Sequence, residues 1–156
     1  MLRINFYPAS KNEKYVFGAN RPGWPETYLI SKESVLFWIA YVKSKGIKKI
    51  VCLLSSGEMS DYEECLMSIY IAEFGKENVL HAPVRESERS DRDIVANDII
   101  PFIEKAVNEG KKLVVHCAFG EVRTGHVLRC WNERIIKNPL PPMTQEEIEL
   151  HKAEQQ

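Results

Sequence analysis

The sequence predicts an α/β fold, a three-layer sandwich whose central, mainly parallel sheet is flanked by helices. Three observations carry this expectation. Short apolar, β-branched runs alternate along the chain with helical patterns, the order that parallel strands joined by crossover helices require. The run 47–54 is continuously apolar after its leading lysines, as in a strand covered on both faces. The run Leu113-Val114-Val115 leads into a short loop containing Gly120 and then a helix, and ligands of open α/β sheets sit at such carboxyl ends of strands.

The elements follow in order. Residues 4–7 and 15–17 read as strands of an ordinary edge hairpin. The stretch GANRPGWP, residues 18–25, is rich in turn formers. Arg21 within it reads as a solvated loop arginine, with substrate contact as the sharper alternative. Ser31 is a helix N-cap; Val35, Trp38, Ile39 and Val42 share one face, and Gly46 stops the helix. After the strand 47–54, Ser55-Ser56-Gly57 makes a turn, and Ser60 with Glu63 forms a capping box that starts a helix running to Phe74. Residues 79–84 form a strand, residues 85–91 a charged loop, and residues 91–108 a long helix in which Pro101 predicts a kink. From Thr124 a helix places Val127, Leu128 and Trp131 together.

Composition bounds the function. A chain of 156 residues, 44% hydrophobic, suits one domain over residues 1–156. Its residues 137–156 read as a Pro-rich linker and a short polar helix capped by Thr144 and Glu147. A net charge of −1 supplies no global attraction for nucleic acid, and no apolar run is long enough for membrane insertion. The four cysteines form no CxxC pair, so neither a metal site nor any cofactor is expected, and the compartment reads as reducing and cytoplasmic.

The chemistry concentrates in residues 112–131. A strand ending just before a helix N-terminus turns loop amides toward one point, and the helix dipole adds positive potential there. Cys117 opens that loop, in a field that favours a thiolate. Arg123 closes it with a planar fork suited to phosphate oxygens. The amides of Ala118, Phe119, Gly120, Glu121, Val122 and Arg123 form the cradle, Thr124 can donate its hydroxyl to the sulfur, and His116 can fix the loop through its ring. A buried structural cysteine in a tight turn is the plain alternative.

The string His116-Cys117-Ala118-Phe119-Gly120-Glu121-Val122-Arg123-Thr124-Gly125 resembles the HCxxGxxR[ST]G loop of cysteine-dependent protein tyrosine and dual-specificity phosphatases, the small single-domain branch most of all. Phe119 and Val122 stand where many members carry Ala and Gly. The resemblance implies hydrolysis of phosphomonoesters through a phosphocysteine, with a phosphorylated protein as the default partner. It also implies an acid on a mobile loop upstream, after a pattern like P-x-x-D. Pro83-Val84-Arg85-Glu86 matches with Glu in place of Asp, making Glu86 the first candidate; Asp91 or Glu88 is the alternative, and a loop without a dedicated acid the third reading. Arg85, Arg89 and Arg92 leave a more anionic substrate open, such as a phosphoinositide or an RNA 5′ end. Two other functions compete: a phosphate-binding module that does not turn its ligand over, and a rhodanese-like sulfurtransferase.

Overall fold

A computed structural model describes residues 3–85 and 92–139, together with residues 146, 149 and 153 near the C-terminus. Among these residues, five strands form one sheet in the order β1-β2-β5-β3-β4. They are β1 (Phe6–Pro8), β2 (Val16–Ala19), β3 (Ile47–Cys52), β4 (Val79–His81) and β5 (Lys112–His116). Only the β1–β2 pair is antiparallel; β2–β5, β5–β3 and β3–β4 are parallel. The sheet is thus mainly parallel, as the alternating pattern predicts. The hairpin is more than an edge ornament, however. Its second strand docks on β5, so β2 flanks the strand that leads to Cys117.

Side chains on a strand alternate between faces, and each face of β5 meets its own helical layer. Val114 joins Ile50, Cys52 and Ala19 under α1 (Lys32–Ser44) and α3 (Leu66–Phe74), where Trp38, Val35, Leu66 and Tyr70 fill the core. Leu113, Val115 and Cys117 face the other way, with Val51 and Leu53, toward Ile99, Ile103, Val127 and Trp131. That second layer holds α4 (Arg92–Ile94), a π-helical segment (Val95–Ile99), α5 (Ile100–Asn108) and α6 (Val122–Lys137). Three layers result, as expected.

Local chemistry sets the boundaries. Ser31 caps α1, its side chain accepting from the Ser34 amide. The kink expected at Pro101 takes the form of the π segment: the Ile100 N–H reaches back to the Val95 carbonyl, one residue further than in an α-helix, immediately before the residue that has no N–H. The helix expected to start at the Ser60–Glu63 box is a correction. The box that forms is Ser55 with Glu58, which opens the short α2 (Ser56–Met59), and Ser60 lies at its C-terminal end. The chain then runs extended enough for Tyr62 to bridge Ile30, and α3 starts only at Leu66, without a side-chain cap. In the expected C-terminal helix, residues 146, 149 and 153 are helical and the remaining positions lie outside the described residues.

Truncating a core side chain between sheet and helix should cost a cavity. Ile103→Ala, at a fully buried position, is expected to lower the unfolding free energy by about 2–5 kcal/mol in urea titration, without altering secondary-structure content.

Candidate active site

The register of the sheet makes the site. Ala19 and Cys52 both stand level with His116 across the parallel ladders, so β2, β5 and β3 end together. Pairing continues one step further, where the Leu53 N–H donates to the His116 carbonyl at 2.9 Å. Cys117 therefore emerges at the carboxyl edge, between two flanking strands, with only 2% of its surface exposed. The loop returns through Gly120, whose φ of +74° lies in the region L side chains resist. A Cβ there would meet the backbone of Ala19 and Asn20 at 2.6 Å, so the loop packs directly on the end of β2.

Helix α6 begins at Val122, two residues before the expected Thr124. No side chain among the described residues caps it, and its first backbone bond runs from the Gly125 N–H to the Glu121 carbonyl at 2.7 Å. The Thr124 side chain is fully buried and its hydroxyl has no hydrogen-bond partner among the described residues. A buried hydroxyl without a partner costs free energy unless a ligand or charged neighbour makes use of it. It lies in the first turn of α6, three residues after the N-cap Glu121.

Arg123 turns inward, with 9% of its residue surface exposed. Glu58 holds it with both carboxylate oxygens, at 2.7 Å to Nη1 and 2.9 Å to Nη2. The bond to Arg123 pulls the Glu58 carboxyl down to about 2, with the Ser55 amide and hydroxyl adding to the effect against the opposing cost of burial. Glu58 does two jobs, since the same side chain accepts from the Ser55 N–H at 3.0 Å to close the capping box. It was not among the residues the sequence reading singled out. The signal was present as a second Ser-x-x-Glu pattern five residues before the one taken.

His116 is completely buried between Trp38 and Tyr70, edge-on to both, and its Nε2 lies 2.9 Å from the Tyr70 hydroxyl. Burial drives its imidazole down to about 3, with the nearby positive charges of Arg123 and Arg21 acting the same way. The ring is therefore a neutral fixture behind the cysteine. Cys52, on the neighbouring strand, is pushed up to about 12 by burial and lies within reach of the charges of Glu58, Arg123 and Cys117.

The turn after β2 forms a wall of the site. Arg21 is not a solvated loop arginine: it is 3% exposed. Its Nη1 pairs with Asp61 at 3.2 Å, its guanidinium lies 5.7 Å from the Tyr62 ring centroid, and its backbone N–H binds the Ala118 carbonyl at 3.2 Å. The residues that bury it lie far along the chain, so local sequence carried no sign of them. This turn brings Trp24 edge-to-face against Phe119, with centroids 4.8 Å apart. Phe119 and Val122 stay exposed on the rim, at 56% and 64%. Glu86, Glu88 and Asp91, the expected acids, lie outside the described residues, as does Arg89; Arg85 and Arg92 are exposed at the borders of that stretch.

Comparison with known proteins agrees with this geometry. A family model described as "polymorphic toxin system, DSP-PTPase phosphatase" matches residues 33–135. The crystal structure of a Cydia pomonella PTP-2 phosphatase superposes with a TM-score of 0.61 over 96% of this chain and 89% of that chain, at 14% sequence identity, a likeness of fold. No curated protein matches. No helix among the described residues is long and apolar enough to cross a membrane.

Because the native value of Glu58 lies below its unfolded value, its contribution to stability is complete above the ordinary carboxylate range near 4.5 and is lost as pH falls toward 2. Glu58→Gln is expected to be less stable than wild type by about 1–3 kcal/mol at neutral pH, allowing for solvent screening of a partly exposed carboxylate. Chemical denaturation across that range should show the gap closing on acidification; a gap independent of pH would contradict the assignment.

Proposed function

Since the chain belongs to the DSP-PTPase phosphatase family of polymorphic toxin systems, we propose that it hydrolyses phosphomonoesters through a phosphocysteine intermediate, with phosphorylated protein as the substrate. The observation that carries this reading is the sequence of groups across the β5–α6 junction: a nearly buried Cys117, an Arg123 held inward by Glu58, and a Thr124 hydroxyl without a hydrogen-bond partner among the described residues. Each is what a thiolate inside a phosphate cradle requires.

In the first step the Cys117 sulfur attacks phosphorus and the ester oxygen departs, taking a proton from a carboxylic acid. Glu86 is our assignment for that acid, with Asp91 as the alternative. Arg123 and the amides of residues 118–123 stabilise the equatorial oxygens as charge develops on them. In the second step water attacks the phosphocysteine, its proton passes to the same carboxylate, and inorganic phosphate leaves with the thiolate restored. Thr124 stabilises that departing sulfur through its hydroxyl. His116 contributes no proton, being neutral and fully enclosed; it holds the strand end in place. A thiol used this way works in a reducing compartment, which favours the cytoplasm as the place of action.

The exposed Phe119, braced by Trp24, supports an aryl phosphate as the preferred ester. An aromatic leaving group laid against such a pair gains about 0.5–1.5 kcal/mol beyond its burial.

The decisive experiment is turnover of p-nitrophenyl phosphate by wild type and Cys117→Ser. Hydrolysis by the first and none by the second is expected; vanadate binding without turnover by wild type would make the chain a binding module instead. Glu86→Gln should slow esters of alkyl alcohols far more than that of p-nitrophenol, whose leaving group needs no proton. Equal slowing of both, or the leaving-group dependence appearing in Asp91→Asn alone, would remove Glu86. Phe119→Ala is expected to lower kcat/KM for a phosphotyrosine peptide about 2–10-fold more than for its phosphothreonine counterpart, measured as phosphate release.

A further inference from the structure

Strand β1 reaches the phosphate loop through one side chain. Tyr7 stands opposite Gly18 in the β1–β2 ladder. A Cβ on Gly18 would come within 2.8 Å of Tyr7 Cζ and 2.9 Å of both the Tyr7 hydroxyl and Thr124 Cγ2. The tyrosine ring thus occupies the space that glycine leaves, beside the Thr124 methyl. At its tip the hydroxyl donates a 2.5 Å hydrogen bond to the Gly120 carbonyl. Burial, with the charges of Cys117 and Glu121 added, pushes the phenol up to about 12, so Tyr7 keeps its proton throughout the neutral range.

The consequence lies at the other end of the same peptide. In a planar trans peptide the C=O and the following N–H point in opposite directions. The Gly120–Glu121 bond is trans, and its carbonyl is held on the β1 side of the loop. The Glu121 N–H is then aimed away from β1. Glycine at positive φ has a shallow backbone landscape, so this peptide needs an external anchor to stay so oriented. We propose that Tyr7 is a positioning residue for phosphate binding: by holding the Gly120 carbonyl outward, it directs the Glu121 N–H at a phosphoryl oxygen. This rests on the phosphatase reading of the loop. Tyr7 lies in the N-terminal hairpin, outside residues 33–135, the span matched by the family model.

The test compares wild type with Tyr7→Phe, which keeps the ring beside Gly18 and removes only the donor. A donor aimed at charge that develops during reaction matters most for the transition state. The variant is therefore expected to bind vanadate at least 10-fold more weakly and inorganic phosphate only 2–3-fold more weakly, with kcat falling more than KM rises. Unchanged vanadate inhibition overturns the proposal. So does an equal weakening of both anions that follows a drop in Tm, since that would mark a packing role. The wild-type amide spectrum is an independent check: vanadate must shift the Glu121 N–H resonance downfield, and an unmoved resonance overturns the proposal even if the variant fails to fold. Wild type that neither binds vanadate nor releases phosphate would instead remove the phosphatase reading, and the positioning role with it.

Discussion

A tightly packed loop must find partners for the carbonyls and charged side chains it encloses, and those partners have to come from elsewhere in the chain. This constraint governs the region around residues 117–123. The Ala118 carbonyl is met by the Arg21 amide, the Gly120 carbonyl by the Tyr7 hydroxyl, and the Arg123 guanidinium by both oxygens of Glu58. Each partner comes from a different element, so the hairpin, the turn after β2 and the short helix α2 are fastened to one loop. The sheet supplies the frame for this, because three parallel strands end level at His116.

Buried charge is tolerated on the same terms. Arg21 is enclosed but meets Asp61, Lys49 meets Glu109 at 3.4 Å beside the Phe102 ring, and Arg123 meets Glu58. A buried cation left without its anion would cost several kcal/mol, so these pairs fix geometry more than they add stability. His116 takes the other course and stays neutral. The positive character of this region is thereby concentrated in Arg123 and in the N-terminal backbone of α6.

How much of this was legible follows from distance along the chain. The string 116–125 could be read directly, because the strand, the loop and the helix start are consecutive and the residue types are restrictive. The sheet layers were legible from strands alternating with helices along the chain and from the continuous apolar run of β3, and the kink before Pro101 from its missing N–H. Glu58, Tyr7 and Tyr70 were not legible as site residues, since each contacts residues 46 to 113 positions away. Arg21 was misread because an arginine beside Pro and Gly resembles solvent-facing loop, while the groups that enclose it lie around residue 61. The two successive Ser-x-x-Glu patterns, Ser55–Glu58 and Ser60–Glu63, show how such a choice is made. Local propensity permits either helix start, and a long-range bond to Arg123 favours the box whose carboxylate it also binds.

The span of the Tyr7–Gly120 bond, 113 residues, reaches across most of the chain. Contacts of that separation form only after much loop-closure entropy has been overcome, which slows folding. During synthesis the cysteine is among the later residues to appear, and the tyrosine that braces its loop has long been waiting. The Gly120 carbonyl therefore gains its partner only when the early hairpin and the late loop come together, after β5 has been made.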